Sequence, residues 1–492
     1  MILTVIVIYL VGMLLIGVWA SKQIKDDQDY LIGGFRMGIL PMTGTYLATF
    51  FSALSLLGGV GLIYRTGIGG SWMPMAWALG SAFGPIIAVR FRRVQMVSPS
   101  EFFYNRYGSR GLQAFGAVAS IVYLLFNMVV QITAMGVIWN LATGRGFTEG
   151  LIIGMVITIL YTLFGGFVAV VWTDVIQSFI FLAAIIIGAI IVVIKVGGIG
   201  DIYSAAALIN TAPEVGMEPN EMGSMVTLLG SYGALSLFFT FLVQGPGTGT
   251  RPEYLQRMQA SDSMKTALGM YKYAWIILIF VYIMLNIIGV GGRVLIPTMP
   301  DGMNSDWIMP VLFQQLTHPI VAGFFFAGLL AAAMSTIDSS MMVMTAAATD
   351  LLKIFSKKKH GKKMLMWFSR AVTGLTGVVV VFMAMNNNDF ITDVAGYGFG
   401  ILGLTYFVPL LFGLYSKRAN TVAAWTCVIG GSIAFCIWQF LSTAGMLSGV
   451  AADIPPIGLA ILVGCILMWL VSRFTKPMDE KYWKPYFERP RK

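Results

Sequence analysis

Long apolar runs separated by short polar segments dominate this chain of 492 residues. An apolar run of about 20 residues is long enough to cross the hydrocarbon core of a bilayer as a helix. The pattern contains about thirteen such runs and therefore predicts an all-α integral membrane protein. The predicted spans are 2–20, 38–64, 70–90, 112–140, 148–164, 171–195, 222–247, 270–292, 316–350, 365–386, 390–414, 420–442 and 454–473.

The composition agrees with the apolar pattern. Hydrophobic residues make up 57% of the chain and charged residues 11%, whereas charged residues form about a quarter of a soluble protein. The first run, Met1 to Ala20, has no basic start and is followed at once by Lys22 and Lys25. It therefore predicts a first spanning helix rather than a cleaved signal peptide.

The basic residues alternate from one connecting segment to the next. One set of segments holds all but four of the 32 lysines and arginines, the four being Arg65, Arg145, Lys195 and Arg293. The positive-inside rule then predicts a multi-pass protein of the plasma (inner) membrane, with the N-terminus outside and the C-terminus in the cytoplasm. The basic cluster at 357–363 favours contact with anionic lipid over nucleic acid. We expect membrane lipid as a partner, no nucleic acid, and a monomer as the functional unit.

The strongest candidate for chemistry is a polar stretch in the predicted helix 316–350. Ser335, Thr336 and Asp338 lie there among apolar residues, and an ionisable group at such a place indicates function. Ser335 and Ser339 share a helix face because they are four residues apart, and Ala332 precedes Ser335 by one turn. Oxygen ligands of this kind suit a small hard cation such as sodium.

Two predicted helices are interrupted by small residues. The helix 38–64 contains hydroxylic residues between Thr45 and Ser55, and the helix 222–247 contains Gly230 to Ala234. Unwound backbone at mid-membrane is tolerated only around a cavity or inside protein, and a pair of interrupted helices indicates a transporter binding site. The alternative is that the small residues only permit close helix packing.

If these two helices correspond, the chain contains one extra helix, two inverted five-helix repeats and two peripheral helices. The predicted divisions are an N-terminal helix and loop (1–37), two repeats (38–200 and 201–415), two peripheral helices (416–475) and a cytoplasmic tail (476–492).

Three segments resemble the sodium:solute symporter family, the sodium/glucose and sodium/proline cotransporter group. They are residues 161–177 (YTLFGGFVAVVWTDVIQ), 332–339 and 413–420. Residues 48–64 are similar to sodium/pantothenate symporters, and residues 244–258 to sodium/proline symporters. The resemblance implies a leucine-transporter-type fold with two inverted five-helix repeats. It also implies secondary active, sodium-coupled symport of a small organic solute by alternating access.

The same resemblance implies where sodium binds. The core sodium site would be formed by oxygens of Ala48, Phe51, Ala332, Ser335 and Thr336. A second set, Asp174, Asp338 and Ser339 together with Ser335, would form either a second sodium site or the exit path of the first ion. In the alternative interpretation Asp174 caps a helix end and Asp338 only makes local hydrogen bonds. We therefore expect one sodium ion, or two if the second set binds one.

The family also places the solute beside the interrupted first helix. Each candidate could instead serve packing alone; together they are Ser52, Ala53, Ser55, Trp72, Met75, Gln131, Tyr232, Ser236, Tyr397 and Phe399. We expect an amino acid, a monocarboxylate or a pantothenate-like solute, and a neutral solute such as a sugar stays open. The resemblance also disfavours sialic acid, because family members that carry it have an arginine at mid-depth of this helix, and helix 112–140 has no basic residue there.

Other functions remain as alternatives. A proton could replace sodium, with Asp338 or Asp174 as its carrier, or the protein could be a non-transporting solute sensor. We do not expect an enzyme, because the chain shows neither paired catalytic carboxylates nor a histidine-rich metal motif.

Overall fold

The computed structural model describes residues 1–209, 223–228, 234–356, 361–386 and 402–488. Helices account for most of this part of the chain, as the apolar pattern predicts. In chain order they are α1 (Ile2–Ser21), α2 (Asp27–Ile32), α3 (Ile39–Phe50), α4 (Gly59–Thr66), α5 (Trp72–Gly80), α6 (Phe83–Phe91), α7 (Glu101–Tyr107), α8 (Arg110–Thr143), α9 (Phe147–Val196), α10 (Ile199–Ala206), α11 (Ala234–Gly249), α12 (Pro252–Ala260), α13 (Met264–Leu295), α14 (Ile308–Leu316), α15 (Pro319–Phe355), α16 (Lys362–Met385), α17 (Val408–Tyr415), α18 (Thr421–Thr443), α19 (Pro456–Phe474) and α20 (Glu480–Phe487).

Many of these helices can cross a membrane. Within the described ranges, nine helical stretches are at least 18 residues long and apolar enough to do so, one of them running from Leu54 to Phe91 through several shorter helices. The predicted span 222–247 is described from Ala234 onward, and the predicted span 390–414 from Leu402 onward.

The predicted helix 38–64 is broken, as its small and hydroxylic residues indicate. Helix α3 ends at Phe50, and Phe51 has an extended backbone (φ −84°, ψ 105°). A turn of π-helix at Leu54–Gly58 then leads into α4. The break lies inside the protein, because Phe51 and Ala53 are both buried, as unwound backbone in a membrane requires.

Helix α9 joins two predicted spans, 148–164 and 171–195. Its 50 residues would extend about 75 Å if straight, far more than a bilayer of about 30 Å. Gly166 bends it with φ 49° and ψ −148°, a conformation that only glycine adopts without strain. A Cβ at this position would lie 2.6 Å from the carbonyl oxygen of Tyr30. Both the positive φ and the close approach of Tyr30 therefore require glycine at position 166.

Helix α15 lies at the centre of the bundle. Unlike the outer helices, it is buried on nearly all sides from Ala322 to Asp350, and α1, α8, α9 and α16 pack around it. Tyr9 of α1 reaches Met334 of α15 across this packing (3.5 Å). The polar groups of α15 therefore contact protein rather than lipid.

Candidate functional site

The hydroxyls of α15 meet the end of α3 where that helix breaks. Ser335 Oγ lies 2.9 Å from the carbonyl oxygen of Ala48 and 3.1 Å from that of Ala332. Thr336 Oγ1 donates to the same Ala332 carbonyl at 3.1 Å. All four residues are completely buried. Four of the five residues predicted for the core sodium site are therefore brought together.

The break explains why the Ala48 carbonyl is available. In a continuous helix this oxygen would accept from the amide of Ser52. The Ser52 amide donates to Ser55 Oγ instead, at 2.8 Å. Phe51, the fifth predicted residue, is the C-cap of α3, and its amide donates to Leu47 at 2.9 Å. Its carbonyl follows the point where the helix ends, so it too is released from regular helical pairing.

One helical turn beyond Ser335 lies a second group of polar residues, which we call the polar cluster: Thr45, Tyr161, Asp174, Arg257, Asp338 and Ser339. Asp174 Oδ2 accepts from Thr45 at 2.5 Å and from Arg257 at 3.2 Å. Ser339 Oγ accepts from Arg257. Asp338 accepts from Tyr161 at 2.7 Å and from Ser339 at 3.3 Å. The predicted trio Asp174, Asp338 and Ser339 is therefore brought together, around an arginine.

The hydroxyl of Thr49 extends the polar cluster toward the end of α3. Thr49 Oγ1 lies 3.1 Å from Ser339 Oγ and donates to the carbonyl of Thr45 at 2.8 Å. Thr45 in turn contacts Asp174 and accepts from Arg257 Nε at 3.0 Å. Oxygen atoms therefore line a continuous path from the end of α3 to Asp174.

Sequence reasoning missed Arg251 and Arg257 as site residues. It counted both among the basic residues of a cytoplasmic segment, yet both side chains are buried. The cause is α12, a short helix whose nine residues are all buried. Pro252 at its first turn marks a new helix start, and this was the one local signal that the segment is not a simple loop.

Part of the predicted solute site also assembles at the break. Gln131 of α8 accepts from the amide of Ala53 at 2.9 Å, and Ser55 donates to the Ser52 carbonyl at 3.0 Å. A small cavity of about 20 Å³ lies beside these serines, and most of its other lining was not predicted. It is lined by Phe50, Ser52, Leu54, Ser55, Trp77, Asn127, Thr248, Arg251 and Tyr254.

Two further solute candidates, Trp72 and Met75, do not line this cavity. Trp72 donates from its indole to the carbonyl of Leu228 at 2.7 Å. Met75 is 42% exposed and lines a different, largely apolar cavity with Trp275 and Asn286. Tyr232, Tyr397, Phe399 and the side chain of Ser236 lie outside the described residues.

A bundle of long apolar helices around a central polar site, with one helix broken beside it, defines a membrane transporter. Comparison with protein families gives a match to the sodium:solute symporter family over residues 30–431. The chain belongs to this family. It is a sodium-coupled symporter rather than an enzyme, as the resemblance of its sequence motifs implied.

Relatives of the chain agree with this assignment. It is 27% identical to an osmoregulated proline transporter of Bacillus subtilis over 485 residues, which covers 95% of this chain and 94% of the relative. It is 28% identical to a sodium/pantothenate symporter of Haemophilus influenzae over 426 residues, covering 83% and 84%.

The fold also has solved counterparts. A Na⁺-coupled sialic acid symporter, in a substrate-bound outward-open state, superposes with a TM-score of 0.79 at 21% identity, over 97% of this chain and 98% of the other. The predicted leucine-transporter-type fold is confirmed, and the chain is an integral membrane protein.

Proposed function

We propose that transport of the solute is driven by a sodium ion that binds between α3 and α15. The carbonyl oxygens of Ala48, Phe51 and Ala332 and the hydroxyls of Ser335 and Thr336 would hold this ion. The observation that carries the proposal is the contact of Ser335 with both Ala48 and Ala332. Two hydroxyls and two carbonyls converge there in a fully buried place, and neutral oxygens can replace part of a sodium hydration shell.

Sodium binding at this place would link the two halves of the alternating-access cycle. The ion would bridge α3, which is broken beside the solute cavity, to α15 at the centre of the bundle. Such a bridge favours one arrangement of the two helices and thereby shifts the population toward the state that binds solute. Inward opening would then release sodium along the hydroxyl path to Asp174.

We infer that one sodium ion moves in each cycle. The residues expected at a second site, Asp174 and Ser339, both already receive hydrogen bonds from Arg257. A guanidinium there supplies the positive charge that a second ion would bring. The ratio of ²²Na⁺ to solute entering proteoliposomes should therefore be one, and a ratio of two would contradict the inference.

For the solute we propose a small organic molecule with a carboxylate. The relatives named above carry proline and pantothenate, and both compounds are carboxylates. Ser52, Ala53, Ser55 and Gln131 would contact it, because they surround the break. Trp72, Met75, Tyr232, Ser236, Tyr397 and Phe399 stay predictions as further contacts.

We propose the plasma (inner) membrane as the location, with the N-terminus outside, because the basic residues alternate along the chain. The exposed apolar side chains of the outer helices would contact lipid, and a monomer would be the functional unit. The two five-helix repeats at 38–200 and 201–415 belong to the same proposal.

Thermal stabilisation of the purified protein tests the proposal. Amino acids, carboxylates, vitamins and sugars would be screened with sodium chloride and with choline chloride. We expect one class of carboxylate to raise the melting temperature only with sodium. The double variant Ser335→Ala/Thr336→Ala should lose this response, and a response that does not depend on sodium would overturn the proposal.

A further inference from the structure

A cavity of about 440 Å³ lies between α5 and α13, and we call it the α5–α13 cavity. This volume is typical of small-molecule sites, which have about 300–1,000 Å³. Apolar side chains form most of its lining, and the serines at the break of α3 line a different cavity. The α5–α13 cavity is therefore separate from the proposed solute contacts at the break.

The α5–α13 cavity opens toward the hydrocarbon of the membrane. Its rim includes Met75 and Leu79 of α5 and Ile279 and Ile283 of α13, and these four side chains are between 42% and 55% exposed. Both helices belong to spanning stretches, so exposed apolar side chains there contact lipid tails. Leu278 lies at the floor, since it is only 1% exposed. An occupant of the cavity would therefore enter from the bilayer.

The length of the α5–α13 cavity matches the depth of one leaflet. Its lining extends along α13 from Trp275 to Asn286, which is about 16 Å at a rise of 1.5 Å per residue. The hydrocarbon core of a bilayer is about 30 Å thick, so each leaflet contributes about 15 Å. A fatty acyl chain that lies along α13 would fill the cavity from end to end, whereas a compact solute would fill only part of it.

Three polar side chains meet at one end of this cavity. Asn286 donates from its side-chain amide to Ser71 Oγ at 2.7 Å, and its oxygen accepts from the hydroxyl of Tyr203 at 2.8 Å. Ser71 is the N-cap of α5, and Tyr203 belongs to α10, which follows the end of the spanning helix α9. We place this end at the edge of the hydrocarbon, where tyrosine is enriched in membrane proteins.

The floor of the α5–α13 cavity reaches the break of α3 through one side chain. Tyr282 lines the cavity, and its ring centroid lies 6.1 Å from that of Phe51 and 6.4 Å from that of Phe50. Phe51 is the residue at which α3 ends. Because packed interiors transmit displacement, an occupant in contact with Tyr282 would influence the position of Phe51.

We propose that the α5–α13 cavity binds one acyl chain of a membrane phospholipid, whose ester groups lie against Ser71, Tyr203 and Asn286. A carboxamide has two N–H donors, so Asn286 can donate to an ester oxygen as well as to Ser71. The acyl chain supports Tyr282 against Phe51 and thereby favours the arrangement of the break that binds sodium. The lipid site itself goes beyond the proposed function, and only its effect on sodium rests on that function.

Retention of lipid by the purified full-length protein tests the site. The protein would be reconstituted into vesicles of phosphatidylcholine and phosphatidylethanolamine, extracted in a mild detergent and measured by native mass spectrometry. The parent should retain one phospholipid. Ile279→Trp should lower the retained fraction at least about fivefold, because the larger side chain takes the volume that the acyl chain needs. Ala78→Phe adds volume from the α5 wall and covers the case in which Ile279→Trp does not fold.

Ile276→Trp is the matched control for this experiment. It makes the same substitution on the same helix, at a side chain that is 47% exposed and lies outside the lining of the cavity. This variant should retain lipid like the parent. Retention of detergent alone by the parent, or equal retention by the parent and the cavity-filling variants, would overturn the lipid site.

A phosphatidylcholine with a diazirine on one acyl chain locates the bound lipid. Labelling of Leu278 indicates occupancy of the cavity, since lipid at the outer surface hardly reaches this buried side chain. We expect this label in the parent and in Ile276→Trp, and its loss in Ile279→Trp. A parent that is labelled only at exposed side chains would also overturn the lipid site.

Binding of ²²Na⁺ tests the effect of the lipid on the break. When phosphatidylcholine is returned to the delipidated parent, its sodium affinity should rise at least about fivefold, the lower limit of typical coupling between two sites. The affinity of Ile279→Trp should not respond. A lipid-independent affinity of the parent would overturn the coupling. Absence of sodium binding with and without lipid would refute the proposed function and leave the lipid site intact.

Discussion

Arg257 is a buried positive charge at a place where the sequence left open either a second sodium site or the exit path of the first ion. Its guanidinium contacts Asp174, Ser339 and Thr45, and neither Arg257 nor Asp174 is exposed. Removing one partner of a buried ion pair leaves an uncompensated charge and costs about 3–5 kcal/mol. The polar cluster is therefore a region where single changes should have large effects and paired changes smaller ones.

Changing Arg257 to glutamine should consequently lower the stability of the protein by about 3–5 kcal/mol. The double variant Arg257→Gln/Asp174→Asn removes both charges and should regain at least half of the loss. Thermal unfolding of the detergent-solubilised protein, followed by size-exclusion chromatography, measures both. Equal destabilisation by the single and double variants would show that the ion pair does not control the effect.

At this scale the sequence predicts which hydroxyls are buried near the break better than it predicts which charged side chains are buried. Ser335 and Thr336 stand out because hydroxyls are costly in an apolar helix, which is a local property of the sequence. Arg251 and Arg257 do not stand out, because arginines next to a membrane helix are usually in water. Their burial is decided by α12, which packs into the bundle through contacts distant in sequence.

At the scale of single elements, two departures from regular helical geometry determine how the site is built. The break after α3 releases the Ala48 carbonyl, and small and hydroxylic residues predict it. The bend of α9 at Gly166 lies between Tyr161 and Asp174, which both belong to the polar cluster. Hydropathy alone predicts two separate spans here, since a sharp bend and a short loop leave the same pattern of apolar residues.

The bend gives a direct test of the helix geometry. Gly166→Ala should destabilise the protein by about 2 kcal/mol or more, because alanine is strained at φ 49° and its Cβ would approach the carbonyl of Tyr30 too closely. Gly12→Ala in α1 is the control, since nothing lies within 4 Å of its added Cβ. Melting curves of the two variants should differ clearly, and equal curves would contradict the need for glycine.

At the scale of the whole molecule, the start of α7 contacts the end of the central helix α15 at the buried Asp350. Ser100 donates to Asp350 of α15 at 2.6 Å, and Gln113 donates to the other oxygen at 2.7 Å. Burial, and after it the charge of Asp350, raises the pKa of Glu101 from the usual 4.5 to about 7. Glu101 itself lies between the spanning stretches Leu54–Phe91 and Arg110–Thr143, and the junction connects the first half of the chain to α15.

The raised pKa of Glu101 predicts how stability depends on pH. The Glu101 carboxyl binds its proton more tightly in the folded state than in the unfolded state. Its contribution to the stability of the folded state is therefore complete below about pH 4.5 and disappears as the pH rises through about 7. Its size is at most about 3 kcal/mol. Glu101→Gln should remove this part of the pH dependence of melting between pH 5 and 8. The control Glu149→Gln, at an exposed acid, should not.

The sequence predicts the helical class and the general place of the site, because both follow from local patterns. Boundaries of the spans depend on bends and on short buried helices such as α12, which hydropathy does not distinguish from loops. The cavity beside the break combines residues from α3, α5, α8, α11 and α12, so its lining depends on packing. For that reason Trp77 and Asn127 could not be predicted as neighbours of Ser52.

Direct binding of ²²Na⁺ to the purified protein, without any solute, tests the central claim. The parent should bind one ion, and Ser335→Ala/Thr336→Ala should weaken its affinity at least tenfold. Ser340→Ala is the control on the same helix, because the Ser340 hydroxyl has no hydrogen-bond partner among the described residues. It should bind sodium like the parent. Unchanged binding by the Ser335→Ala/Thr336→Ala variant would place the sodium site elsewhere and contradict this account.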